Sequence, residues 1–375
     1  MTTHPLLGLQ ALGQSPWLDN IERSLLTSGR LAAMVADGEI TGLTSNPTIF
    51  EKAIAGSAAY DEELADLARA GKTALEIFDA LAIADIQAAA DVFAGVYART
   101  AGHDGYVSIE VAPNYAHDSD ETLREARRLW AAVDRPNLMI KIPATAAGLP
   151  AIEAAIAEGI NVNVTLIFSI QRYREVMAAY LAGLRKRIAA GEPVEQVASV
   201  ASFFVSRLDT LIDKQLQARM MAAPETAADL EGLLGKAAVA NTRLAYQAFK
   251  AVVAAEFGEL QQAGAQMQRP LWASTSTKNP AYPDLLYVDN LIGPDTVNTM
   301  PPTTLAAFKD HGTVALTVEN DLDAARVVLE KIEEAGISLE AVFQQLEDEG
   351  VAAFYKSFEA LLAVIESRRV AALEA

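Results

Sequence analysis

Along this chain, short runs that alternate apolar and polar positions give way repeatedly to longer stretches with helical spacing. β-like runs are predicted near residues 40–45, 106–111, 138–142, 162–168, 199–205 and 271–275, with weaker ones at 17–19 and 297–300. Helical patterns fall between them. Such alternation builds a parallel sheet, and eight strands is the number that closes a barrel. Asp118, with Glu121 three residues on, predicts a capping box ahead of Leu123, Ala126, Leu129, Trp130 and Val133 at helical spacing. A later helix is predicted over 321–335, stopping at Gly336. The last one aligns Phe354, Phe358, Leu361, Leu362 and Ile365 in a stripe that either covers the barrel or meets another subunit of a homo-oligomer. The expected architecture is one α/β domain over residues 1–375. It is a (β/α)8 TIM barrel with additional N- and C-terminal helices, those at the C-terminus from about 320 onward and set off by a loop at 310–319.

Side-chain parity locates candidate chemistry. Lys141 sits in Asn137-Leu138-Met139-Ile140-Lys141-Ile142-Pro143, which reads as a buried strand where a charge is costly. Either it snorkels out of the strand end, or it is a nucleophile, since a dry setting favours the free amine of a lysine. Lys141 shares its face with Met139, while Leu138, Ile140 and Ile142 share the other. In the neighbouring runs Asn163 and Thr165 oppose Val162, Val164 and Leu166, and Ser108 and Glu110 oppose Val107, Ile109 and Val111. Thr44, with Asn46 just beyond it, opposes Leu43. A barrel accounts for the pattern: its outer face packs on helices and must be apolar, whereas inward residues near the C-terminal strand ends form a polar site. Each such residue alone reads as a buried hydrogen-bonding group, but Asn46, Glu110, Lys141, Asn163 and Thr165 together suggest a site.

Composition narrows the partners. The 375 residues carry a formal charge of −19, which disfavours nucleic acid and anionic lipid and makes any basic residue at a strand end stand out as a phosphate contact. With no cysteine and four scattered histidines, neither a disulfide nor a structural metal site is expected. There is no apolar run of membrane-spanning length, and Met1-Thr2-Thr3-His4-Pro5 lacks the pattern of a secretory leader, so the chain is expected in the cytoplasm.

Gly42-Leu43-Thr44-Ser45-Asn46-Pro47-Thr48-Ile49-Phe50 resembles the first signature of the transaldolases. Met139-Ile140-Lys141-Ile142-Pro143-Ala144-Thr145 and the following Gly159-Ile160-Asn161-Val162-Asn163-Val164-Thr165-Leu166-Ile167-Phe168-Ser169 resemble the region around their Schiff-base lysine. The resemblance extends from Trp17 to Pro301, and Ala273-Ser274-Thr275-Ser276-Thr277-Lys278-Asn279-Pro280 is similar to the longer bacterial type of the family. It implies an (α/β)8 barrel that transfers a dihydroxyacetone unit between sugar phosphates in the non-oxidative pentose phosphate pathway, without metal or organic cofactor.

The resemblance also implies roles. Lys141 attacks the ketose C2 carbonyl; Glu110 moves protons through a water held by Thr165; Asp19 takes the C4 hydroxyl proton. Read without the resemblance, Asp19 is a helix N-cap in Leu18-Asp19-Asn20-Ile21-Glu22. Asn46 and Asn163 bind hydroxyls of the three-carbon enamine, and Ser202, Arg207 and Lys278 hold the phosphate, with Phe204 beside them. Lys278 stands where shorter members have a second arginine; its other reading is an exposed loop lysine. A fructose 6-phosphate aldolase of the same superfamily uses the same lysine but carries glutamine and tyrosine where this chain has Glu110 and Phe204. A non-catalytic sugar-phosphate-binding barrel is the remaining alternative; it is expected to lack the lysine or its proton shuttle.

Overall fold

A computed structural model, describing residues 4–374, contains eight parallel strands hydrogen-bonded in sequence order into a closed barrel. They are β1 (Gln14–Asp19), β2 (Gly42–Thr44), β3 (Val107–Glu110), β4 (Leu138–Pro143), β5 (Val162–Ile167), β6 (Ser199–Phe204), β7 (Arg269–Ala273) and β8 (Thr296–Met300). β8 returns to pair with β1, so the sheet has no edge. The outward parity is as dry as the sequence requires: Leu138, Ile140, Ile142, Val162 and Val164 are fully buried against the helical layer. The reading of Met1, Thr2 and Thr3 lies outside the described residues.

The helices around the barrel include α1 (Pro5–Ala11), α2 (Pro47–Gly56), α3 (Ala74–Arg99), α4 (Ser119–Val133), α5 (Ser206–Ala222), α6 (Leu322–Glu334) and α7 (Leu339–Glu374). α1 is the extra N-terminal helix and buries Leu6 and Leu9 completely. In α4 only half of the expected capping box forms. Asp118 accepts from Glu121 N at 3.0 Å, but Asp118 N donates to Tyr115 O at 2.8 Å and the Glu121 carboxylate pairs with Arg124. α6 ends before Gly336, whose φ of 79° turns the chain.

The apolar stripe of α7 is used within the chain. Phe354, Phe358, Leu361 and Ile365 are buried, and the helix packs on α2, α3, α5 and β5. Residues 310–319 do not part the barrel from these helices: Thr317 N and Val318 N donate to Ile292 O at 2.9 and 3.1 Å, and Val318 is buried.

Strand boundaries differ from expectation where polar groups are buried. β1 begins at Gln14, whose Nε2 donates to Leu291 O and Thr296 Oγ1 inside the barrel. β7 begins at Arg269, earlier than expected, because this arginine is 4 % exposed and donates to Ser15 Oγ, Thr296 O and His103 O. It ends at Ala273 because Ser274 turns at φ 56°. β5 carries a bulge between Val164 and Ile167, with Leu166 in the left-handed region at φ 60°.

Candidate active site

The strand register sets the core of the site. Glu110 pairs with Lys141 across β3 and β4, and Lys141 with Asn163 across β4 and β5, so one inward row carries all three. Lys141 does not snorkel: it is 4 % exposed, and its Nζ donates to Ser45 O at 3.2 Å and stands 3.2 Å from Glu110 Oε2. The second contact is an ion pair with angles poor for a hydrogen bond; among the described residues neither Glu110 oxygen has a hydrogen-bond partner of regular geometry. Burial raises the Glu110 carboxyl above the usual glutamate range, and the Lys141 charge opposes that rise only in part. Thr165 Oγ1 is likewise buried without a partner among the described residues.

Lys141 and Thr165 line a cavity of about 470 Å³ at the C-terminal end of the barrel, a size that suits a sugar phosphate. Asp19, Asn46, Lys141, Thr165, Ser202, Phe204, Arg207 and Lys278 line it. Glu110 and Asn163 sit behind that lining; Glu110 borders a small separate cavity of about 30 Å³ beside Phe50, Phe78 and Phe358.

Asp19 closes β1 and caps no helix, since the next helix starts at Arg23 with Glu22 at its N-cap. Thr44 Oγ1 donates to Asp19 Oδ1 at 2.7 Å and contacts Thr299 Oγ1 at 2.6 Å. Burial raises the Asp19 carboxyl, with Lys141 and the Thr44 bond pulling the other way. Asn46 is the N-cap of α2, its Oδ1 accepting from Ile49 N at 3.0 Å, which leaves the amide nitrogen and one oxygen lone pair to offer a ligand. Asn163 is a buried hub: Oδ1 accepts from Ser202 Oγ at 2.7 Å and Nδ2 donates to Ser108 Oγ at 3.0 Å. One amide proton and one oxygen lone pair remain for a substrate hydroxyl.

The cationic side of the cavity rests on α5. Arg207, in the first turn of α5, lies with its guanidinium 5.2 Å from the Phe204 ring centroid and makes no ion pair among the described residues. Lys278 is exposed, as a loop lysine should be, yet borders the same cavity; partial desolvation of its ammonium and the nearby Arg207 charge lower its pKa. Parity could not reveal Lys52 or Phe354, because both reach the cavity from helices, α2 and α7, rather than from strands. Lys52 adds a third cation to this rim of a strongly acidic chain.

A second cleft of about 510 Å³ lies under α6 and α7, but it holds none of these residues, and its Arg172 is tied to Glu175 and Glu347. Among the described residues no group of His, Cys, Asp and Glu is arranged to hold a metal.

Residues 16–365 match the family model described as transaldolase/fructose-6-phosphate aldolase. The chain belongs to the transaldolase family. It is 53 % identical over 360 residues to a transaldolase of Thermobifida fusca, with 96 % of each chain covered. A transaldolase of Trichodesmium erythraeum is 46 % identical over 373 residues, covering 98 % of both chains. Transaldolase 1 of Streptomyces avermitilis is 51 % identical over 366 residues, covering 97 % of this chain and 95 % of its own. Such full-length similarity makes the chain a transaldolase-family enzyme, and the closed barrel is the scaffold on which its site is built.

Proposed function

We propose that this enzyme transfers a dihydroxyacetone unit from a ketose phosphate, sedoheptulose 7-phosphate or fructose 6-phosphate, to an aldose phosphate, glyceraldehyde 3-phosphate or erythrose 4-phosphate. The observation that carries the reading is Lys141 itself: a buried amine at the floor of a sugar-sized cavity, 3.2 Å from a buried carboxylate. Lys141 Nζ attacks C2 of the ketose, and the adduct loses water to give an iminium, a far better electron sink than the ketone. Glu110 accepts and returns the protons of these steps; its raised carboxyl brings its basicity nearer to neutrality. Thr165 Oγ1, buried and without a partner among the described residues, suits a relay to that carboxylate.

Asp19 then takes the C4 hydroxyl proton, the C3–C4 bond breaks, and its electron pair moves into the iminium, leaving a three-carbon enamine on Lys141. The first aldose phosphate leaves and a second is attacked by the enamine in reverse order. Asn46 and Asn163 orient the hydroxyls of the bound unit, while Ser202, Arg207 and Lys278 hold the phosphate beside Phe204; the Arg207 guanidinium, without an ion pair among the described residues, supports this most directly. Glu110 and Phe204 favour transfer over the aldolase reading, given the glutamine and tyrosine of such aldolases.

One buried apolar cluster runs from Leu6 to Ile365, which supports the chain acting as a single domain. Among the described residues no helix is long and apolar enough to cross a membrane. That and the absence of cysteine support a place in the cytoplasm.

The test is borohydride reduction with fructose 6-phosphate, peptide mapping, and an assay of free dihydroxyacetone in an unreduced sample. A three-carbon adduct on Lys141, with little free dihydroxyacetone, and passage of the unit to erythrose 4-phosphate when that acceptor is added, is the expected result. Steady release would convert the reading to an aldolase; no adduct with any donor would sink it.

A further inference from the structure

Part of the cavity wall does not come from the barrel. α7 supplies Phe354, which is 4 % exposed, borders the cavity and sets its ring centroid 5.6 Å from Lys141 Nζ. Three contacts hold the helix there. Thr48 Oγ1 donates to Ser357 Oγ at 2.8 Å, tying α7 to α2. Phe358 meets Phe78 edge-on at 5.6 Å, and Phe78 meets Phe50 at 5.7 Å. Gly350 lets the helix settle on the β5 bulge, since a Cβ there would stand 2.8 Å from Leu166 Cδ2. The ring therefore belongs to a fixed wall.

We infer that Phe354 sets how the three-carbon intermediate is partitioned between transfer and loss to water; the inference rests on the proposed transaldolase function. The enamine on Lys141 has two fates. In transfer, its nucleophilic carbon forms a bond to the aldehyde of the acceptor. In loss, that carbon takes instead the proton that Asp19 removed from the C4 hydroxyl, which regenerates the iminium and the Asp19 carboxylate. Water then adds its oxygen to C2 and gives a proton to the Glu110 carboxylate, which returns it to Nζ. The C2–Nζ bond breaks with its electron pair on nitrogen while the C2 hydroxyl sheds its proton to Glu110, freeing dihydroxyacetone. Both routes draw on one adduct, so the balance depends on whether water can reach C2 before an aldehyde does. A phenyl ring beside Nζ occupies the space such a water would take, and its face attracts the cationic iminium nitrogen.

The series Phe354→Leu, Phe354→Val and Phe354→Ala tests this with fructose 6-phosphate as donor and erythrose 4-phosphate as acceptor, so that the transferred product, sedoheptulose 7-phosphate, differs from the donor. The readout is free dihydroxyacetone relative to transferred product, alongside the borohydride-trapped adduct on Lys141. The ratio should climb as the side chain shrinks, by roughly tenfold at alanine, with the adduct still forming. A ratio unchanged across variants that fold and form the adduct would overturn the inference. Should alanine prevent folding, leucine and valine carry the same comparison. No adduct in the parent enzyme would overturn the function itself and this inference with it, so the two failures are separable.

Discussion

Replacing Glu110 by glutamine keeps the shape of the side chain and removes its charge, which isolates what the carboxylate does for Lys141. At 3.2 Å the two charges attract by ~5 kcal/mol at the effective dielectric of about 20 that suits protein sites. Their side chains are only 5 % and 3 % exposed, so water cannot replace the lost partner. Removing one member of a buried pair costs about 3–5 kcal/mol, and the amide oxygen, which can still accept from the amine, moves Glu110→Gln to the lower end, about 3 kcal/mol of stability. The kinetic effect is separate. A lost general acid–base group slows its steps by about 100- to 10,000-fold, and it should slow adduct formation rather than donor binding. Rapid-quench borohydride trapping of the Lys141 adduct measures that step, and chemical denaturation measures the stability.

The pH profile adds a second signature. Because burial raises the Glu110 carboxyl, the parent's trapping rate should fall as pH drops through a value above the ordinary glutamate range, and the variant should lose this limb. Trapping within about threefold of the parent, with the acid limb intact, would refute the proton-shuttle argument.

Three further outcomes rest on geometry. Arg207→Ala should raise KM for phosphorylated donors by roughly ten- to a hundredfold while leaving unphosphorylated ones little changed, as expected when charge-assisted hydrogen bonds are lost; equal losses in steady-state assays would remove the phosphate assignment. Asp209 is buried in α5, where it accepts from Ala238 N and Tyr287 Oη, and burial pushes its carboxyl up to about 7. The native state then binds more protons than the unfolded chain between the ordinary aspartate range and about pH 7, so stability should fall as pH rises through that window. Asp209→Asn should flatten the pH dependence of the denaturation midpoint, and an unflattened curve would place the effect elsewhere. Gly42→Ala would set a Cβ 2.5–2.7 Å from the Trp17 ring, whose Nε1 is fixed by Asp104. A loss of about 1–3 kcal/mol in urea unfolding is expected, and none would mean that β1 and β2 yield more easily than their register implies.

Much of the barrel was legible because its outward parity must be apolar, and runs such as Leu138, Ile140 and Ile142 announce this without help from partners. The same logic put Lys141, Glu110 and Asn163 on one inward row, as the register has them. It failed at β1 and β7, where Gln14 and Arg269 face the interior and find hydrogen bonds that no hydrophobic pattern encodes. It also could not say that the Asn163 amide is occupied at both ends by Ser108 and Ser202, because those bonds join three strands far apart in sequence. Lys52 and Phe354 escaped for a related reason. A helical periodicity tells which face is apolar but not what that face will touch, and the stripe containing Phe354 gave no hint that one of its rings ends at the lysine.

The position of α7 in the chain orders events during synthesis. The barrel can close once Thr296–Met300 has been made, whereas the helix that bears Phe354 emerges only afterwards. A nascent chain paused between the two would present Lys141 in an uncovered mouth, with Leu166 and the aromatic cluster of Phe50 and Phe78 bare. The last helix is thus both a seal and a timer, and a chaperone that recognises unfinished products has a specific apolar patch to find until it docks.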